Sequence, residues 1–192
     1  MNVPPVILAS VSPRRAELLK QVVFRFQVMP SHAEECEHEH YSPREIAQLN
    51  AYRKARVVAK RCPDGLVIGA DTVVALGMNL YGKPRNKRDA MRMLSELQGR
   101  AHEVVTGVCL LHLRGHRQSV FAEQTSVQFQ RLTSKQIASY LSRVHTLDKA
   151  GAYAIQEEGE LIVEAIDGSY TNVVGLPVER LREELRNWAV RA

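Results

Sequence analysis

The chain is poor in cysteine and aromatic residues and has no long apolar run. Its three cysteines, Cys36, Cys62 and Cys109, are an odd number with no Cys-x-x-Cys spacing, which argues against a disulfide framework or a zinc knuckle and for reduced thiols. No apolar stretch approaches the roughly 20 residues that span a bilayer, and no signal-peptide pattern opens the sequence. A cytoplasmic protein with no membrane partner is expected. Aromatic residues are 6% of the chain, too few for a base-stacking platform, and the basic residues are scattered rather than gathered into a stripe, so no nucleic-acid partner is expected. Repeats, low-complexity tracts and linkers are also missing, so residues 1–192 read as a single domain. At 45% hydrophobic and 24% charged, the composition is that of a globular protein able to bury a core. The net charge of +5 still favours an anionic partner, and a nucleotide satisfies it as well as a polynucleotide.

What is present is concentrated first in Ser10-Val11-Ser12-Pro13-Arg14-Arg15. Residues 6–9 form a short apolar run. Ser12 then fits a helix N-cap, with Pro13 at the first helical position, where its missing N–H costs nothing. Unpaired N–H groups at a helix start favour anions, and the hydroxyls of Ser10 and Ser12 with the guanidinium groups of Arg14 and Arg15 add to that preference. A phosphate site and an ordinary capped helix with solvated arginines fit this stretch equally well.

Residues 24–29 read as a strand, followed by a loop over 32–40 dense in Glu and His. Its ligand-type residues match no metal spacing, so most of it reads as solvated, with Glu34 and Glu35 nearest the strand end. Ser42-Pro43-Arg44-Glu45 is a capping box, and the helix it opens is expected to carry Ile46, Leu49, Arg53 and Val57 on one face with Lys54 beside them, snorkelling to solvent unless a site claims it. Residues 66–72 read as a strand ending at Asp71, which its position fits equally as a candidate catalytic carboxylate or a turn aspartate, with Gly69-Ala70 letting a ligand approach the backbone. A hairpin around 77–79 leads to Gly82-Lys83-Pro84, which can present a lysine from a rigid turn. Asn86 caps a helix with Ala90, Met93, Leu94 and Leu97 on its core face. Paired strands are expected over 104–113 and 120–130, then a helix opened by the capping box Thr133-Ser134-Lys135-Gln136. Residues 148–156 read as a functional loop, residues 161–166 and 170–174 as a last hairpin, and the chain closes with a helix through Trp188.

The ordered set of Ser10-Val11-Ser12-Pro13-Arg14-Arg15, Gly69-Ala70-Asp71-Thr72, Gly82-Lys83-Pro84, His102-Glu103-Val104-Val105-Thr106-Gly107-Val108, Asp148-Lys149-Ala150-Gly151-Ala152-Tyr153 and Gly168-Ser169-Tyr170 with Val174-Gly175-Leu176-Pro177 resembles the Maf family of nucleoside triphosphate pyrophosphatases from end to end. The resemblance implies an α/β fold of Maf/ITPase-like type, a bent mixed sheet with two lobes around a deep cleft. It implies hydrolysis between the α- and β-phosphates of a nucleoside triphosphate, with a divalent cation, Mg²⁺ or Mn²⁺, as cofactor. Many members are dimers, so a homodimer is one arrangement it admits. Arg14, Thr72 and Gln156 stand where the dTTP/UTP subtype carries its selecting residues, and the subtype acting on 7-methyl-GTP differs there. In this reading Asp71 is the general base, Lys54 and Lys83 assist it, and Ser10, Ser12, Arg14 and Arg15 bind substrate. Glu34 and Asp71 hold the metal. Tyr153-Ala154-Ile155-Gln156-Glu157 departs from the family's Tyr-Gly-Ile-Gln-Gly, so strain is expected at Ala154 or Glu157 if either glycine had served a positive φ. The alternatives are a non-catalytic regulator of septum formation, to which the family name is linked, and a pyrophosphatase of modified purine triphosphates.

Overall fold

The computed structural model describes residues 4–36 and 40–190. Its frame is a seven-stranded mixed sheet in the order β2-β1-β3-β5-β6-β7, with β4 paired to β3 off that path. The strands are β1 (Val6–Leu8), β2 (Phe26–Val28), β3 (Leu66–Leu76), β4 (Asn79–Tyr81), β5 (Ala101–His112), β6 (Arg117–Phe129) and β7 (Val163–Asp167). β1 runs parallel to β2 and β3, and the other pairings are antiparallel. The helices are α1 (Pro13–Leu19), α2 (Pro43–Arg61), α3 (Lys87–Leu97), α4 (Ser134–Arg143), α5 (Tyr170–Val174) and α6 (Val178–Val190). Among the described residues no helix is long and apolar enough to cross a membrane.

Local chemistry sets the helix starts. The side chains of Ser12, Asn86 and Ser169 accept from the backbone N–H three residues on, and both capping boxes, Ser42/Glu45 and Thr133/Gln136, are closed in both directions. Two expectations change. Residues 170–174 are a short helix, not a strand, because Ser169 caps it and Gly175, at φ +123°, ends it. The strand expected over 24–29 is only Phe26–Val28, since its partner β1 is itself three residues long.

The long strands β3, β5 and β6 run through two apolar regions. Around their first lobe, Leu8, Leu19, Ile68, Leu110, Leu176 and Leu181 pack on one face of the sheet and Ala51, Ala55, Val58, Val67 and Cys109 on the other. In the second lobe, Leu94, Leu97, Phe129, Ile137 and Tyr140 join Ala152, Tyr153 and Ala154. The loop over 148–156 is therefore partly core, with a tight turn at Ala150–Ala152 in which Gly151 and Ala152 take positive φ. The small side chains are what let it fit against Val74, whose methyls stand 3.0 and 3.1 Å from where a Cβ on Gly151 would lie.

β3 extends past Asp71 to Leu76, so Asp71 lies in mid-strand and not at a strand end. The edge of β3 facing away from β5 is covered twice. β1 pairs with residues 66–68, and β4 pairs with residues 74–76. Between them, residues 69–73 have no partner strand on that edge among the described residues, and the gap between two strands is where a cleft can open beside Asp71 and Thr72.

Candidate active site

The gap opens into a cleft of about 1500 Å³, lined by the turn before α1, by Glu35, by α2, by β3 around Asp71, by Lys83 and by the loop over 148–156. That volume exceeds the usual small-ligand range of about 300–1,000 Å³, so a nucleotide with its phosphate chain is accommodated.

Asp71 is positioned by two glycines. Strand side chains alternate, so Gly69 and Asp71 share one face of β3, and Gly107 lies opposite Asp71 in the register of β5. A Cβ on Gly69 would stand 2.8 Å from Ala55 N and 2.9 Å from Ala55 Cβ, and a Cβ on Gly107 would collide with the backbone of Ala47. Gly69 thus admits helix α2, not a ligand as its place beside Ala70 suggested. The buried stripe of α2 is Ile46, Ala47, Asn50, Ala51, Ala55, Val58 and Ala59; Arg53 and Val57, expected on the core face with Leu49, are exposed. Alanines are selected because the helix lies so close to the sheet.

That approach brings two polar side chains, one helical turn apart, onto Asp71. Lys54 Nζ donates to Asp71 Oδ1 at 2.6 Å, and Asn50 Nδ2 donates to Asp71 Oδ2 at 3.1 Å. Asp71 is 6% exposed, so its carboxylate is held in one orientation with both oxygens engaged. Lys54 also donates to Glu35 Oε1 at 2.6 Å, and one ammonium therefore bridges two carboxylates. Partial burial alone would raise the Glu35 carboxyl, but the Lys54 hydrogen bond and charge, with Lys83 and Arg15 beyond, hold it below the usual range.

The other face of β3 presents Thr72. Its Oγ1 accepts from Arg15 NH2 at 2.9 Å and lies 3.0 Å from Thr106 Oγ1, while Arg15 Nε donates to Gly175 O at 2.9 Å. Burial lowers the pKa of Arg15, opposed by the charges of Asp71 and Glu35. Both of these hydrogen bonds go to neutral oxygens, so the guanidinium remains receptive to an anion. Thr72 serves as a support for Arg15. Ser10 Oγ accepts from Ser12 N at 3.1 Å, Ser12 Oγ caps α1, and both line the cleft with Arg14. Lys83 is exposed on the opposite wall, and Gln156 is exposed on the late loop.

The structure gathers Ser10, Ser12, Arg14, Arg15, Lys54, Asp71, Thr72, Lys83 and Gln156 around one space. It leaves Glu34 out. That residue is exposed and away from the cleft wall, its backbone carbonyl near Arg53 NH1, and its neighbour Glu35 takes the position expected for it. Consecutive residues of an extended segment point opposite ways, and nothing in Glu34-Glu35 says which one faces inward. His32 and His40 are exposed, and His38 lies outside the described residues. Asn50 joins the site with no sequence signal beyond its spacing of four from Lys54, which marks the shared helix face. Ala154 and Glu157 avoid positive φ; within residues 148–158 the positive φ values fall at Gly151, Ala152 and Glu158, so the replaced glycines impose no such strain.

The loop carrying Gln156 is anchored from below. Tyr140 Oη accepts from Ala154 N at 2.9 Å and donates to Ala154 O at 3.2 Å. Tyr153 Oη meets His102 Nε2 at 3.0 Å, and the rings of His102, Phe129 and Tyr153 pack edge-on with centroids 4.6 to 5.5 Å apart. Burial depresses His102 to about 4 and pushes Tyr140 up to about 12.

Comparison with known proteins adds to this geometry. The family model described as Maf-like protein matches residues 5–188. A dTTP/UTP pyrophosphatase of Carboxydothermus hydrogenoformans is 48% identical over 185 residues, 95% of this chain and 98% of the relative. One from Geobacillus sp. (strain WCH70) is 48% identical over 181 residues, 94% and 96% of the two chains. Among solved structures, the Ham1 protein of Staphylococcus aureus aligns with a TM-score of 0.56 over 95% of this chain and 98% of its own, at 16% identity. A HAM1 protein from Coxiella burnetii aligns at 0.53 over 96% and 100%, at 12% identity, and both likenesses concern the fold alone.

Proposed function

Since this chain belongs to the Maf family, we propose that its cleft hydrolyses dTTP and UTP to the nucleoside monophosphate and pyrophosphate. The observation that carries this reading is the Asp71 carboxylate, buried and fixed by Lys54 and Asn50 at the gap in the sheet edge, facing a space bordered by Arg14, Arg15 and Lys83. Attack of water on a phosphorus atom needs an acceptor for the water's proton and positive charge where oxygen charge grows. Asp71 takes the proton. Lys54 keeps the carboxylate oriented and balances its charge, while Arg14, Arg15 and Lys83 stabilise the phosphate oxygens. Ser10 and Ser12 line the same wall. Gln156 addresses the base: its amide can donate to a carbonyl and accept from the ring N–H of uracil or thymine, a pairing that cytosine does not offer.

A divalent cation fits the donor set. Among the described residues no group of three His, Cys, Asp or Glu could hold a metal. Mg²⁺, however, is commonly held by one or two carboxylates together with substrate phosphates, and Asp71 and Glu35 supply two hard oxygen donors linked through Lys54. Glu35 therefore replaces Glu34 in this role. Bound there, Mg²⁺ or Mn²⁺ would neutralise phosphate charge and acidify a water. The cytoplasm, where nucleoside triphosphates are made and used, is the compartment this activity requires.

The test is pyrophosphate release from dTTP and UTP by wild type and by Asp71→Asn, with circular dichroism confirming the fold. Removing a general base costs about 10²–10⁴-fold in turnover. No release by wild type, or near-wild-type turnover in a folded Asp71→Asn variant, contradicts the proposal.

A further inference from the structure

We propose that Lys149 is the positioning residue of the base-selecting loop, its buried ammonium joining Asp148 and Glu157, and through them Arg14 and Gln156, into one arrangement across the cleft. The inference rests on the pyrophosphatase reading and deepens it. Lys149 is 6% exposed, and a charge so withdrawn from water must be matched by nearby oxygens. It is matched three times. Its Nζ donates to His145 O, lies 3.0 Å from Asp148 Oδ1 and lies 3.4 Å from Glu157 Oε1. The second oxygen of Asp148 accepts from Arg14 NH1 at 3.1 Å, so the network crosses from the late loop to α1.

The consequence for Gln156 follows from its place in the chain. Ala154, two residues before it, is clamped by Tyr140, and Glu157, immediately after it, is held by Lys149. The backbone at 151–152 is in the left-handed region, which for Ala152 is unfavourable and persists only where the surroundings fix it. Without Lys149 the tie immediately after Gln156 is lost, the next being Arg143 NH1 on Glu158 Oε2 at 3.2 Å, and Asp148 keeps Arg14 and the more distant His145 Nε2 at 3.9 Å. Both the base contact and a phosphate contact then lose their set positions. The carboxyl of Asp148, which burial alone would raise, is held low by Lys149 and Arg14, consistent with a charged link between them.

The experiment compares Lys149→Met and Lys149→Arg with wild type in kcat and KM for UTP and CTP, and in backbone hydrogen exchange at residues 155–158. In Lys149→Met, kcat/KM for UTP should fall by up to roughly a hundredfold, the order of loss when a change away from the chemistry shifts a contact by about 1 Å. The change should fall more on KM than on kcat, discrimination against CTP should shrink, and exchange at 155–158 should quicken, with Lys149→Arg restoring all three. If Lys149→Met does not fold, Glu157→Gln, which keeps the Asp148 link, should quicken the same amides and weaken the same discrimination. Unchanged exchange and unchanged UTP/CTP discrimination in the folded variants overturn the proposal. A wild-type protein that releases no pyrophosphate refutes the enzymatic reading instead, and the exchange measurement still judges the tether.

Discussion

Replacing Gly69 by alanine should damage the site without touching a polar group. The added Cβ would stand 2.8 Å from Ala55 N and 2.9 Å from Ala55 Cβ, with Ala51 O closer still. Ordinary carbon contacts lie near 3.5 Å, and the obstacles are mainly helix backbone, so α2 must move by about 1 Å. Overpacking of this kind costs about 1–3 kcal/mol. For a chain of this length, each kcal/mol lowers Tm by about 2–4 °C, so a fall of roughly 2–12 °C is expected. The same shift carries Lys54 and Asn50 away from Asp71, and misplacing a catalytic group by about 1 Å costs on the order of 10² in rate. Differential scanning fluorimetry and steady-state pyrophosphate release, the latter well below Tm, read the two effects separately. Gly82→Ala is the control, since a Cβ there meets nothing within 4 Å, and its stability should stay within about 0.5 kcal/mol of wild type. A Gly69→Ala variant with wild-type Tm and wild-type kcat/KM would refute the argument that helix approach builds the site.

Gln156→Ala should lower kcat/KM for UTP far more than for CTP or GTP, because a site that hydrogen-bonds one base's polar edge discriminates through that pairing; equal losses on all substrates contradict the role. Replacing His32, His38 and His40 together by alanine should leave metal-dependent turnover intact, since the proposed donors are carboxylates; loss of activity that added Mn²⁺ cannot restore counts against this. His102 binds its proton at about 4 when folded and near 6.5 when unfolded, so stability is present above the upper value and is lost as pH falls toward the lower one. The shift corresponds to roughly 3 kcal/mol. Denaturant titrations at pH 7 and pH 4 should therefore show a smaller acid loss in His102→Gln than in wild type, and equal losses would show that His102 is not the titrating group.

The sequence is most legible where structure is local. Ser42 and Glu45, or Thr133 and Gln136, announce a helix start because both partners of the bond lie within one turn. What depends on a distant neighbour is hidden. The alanine stripe of α2 gives a weak apolar signal, and its meaning comes from Gly69 and Gly107 on two strands of the sheet it packs against. Asp71 interrupts an apolar run and so marks a strand end by pattern, yet β5 pairs straight past it. Lys54 reads as a lysine bound for solvent until Asp71 and Glu35 are placed beside it. Thr72 shows the same limit, since its hydroxyl is turned to Arg15 by a contact spanning 57 residues. The choice between Glu34 and Glu35, and the burial of Lys149, are fixed by tertiary contacts alone.

The products formed from UTP report which phosphate bond the cleft breaks. Incubating purified wild-type protein with UTP and Mg²⁺ or Mn²⁺ and resolving the mixture by ³¹P NMR distinguishes the bonds that can break. Cleavage between the α- and β-phosphates yields UMP and pyrophosphate in equal amounts, with CTP and GTP consumed far more slowly. Formation of UDP and orthophosphate, or faster turnover of a purine triphosphate, would contradict it.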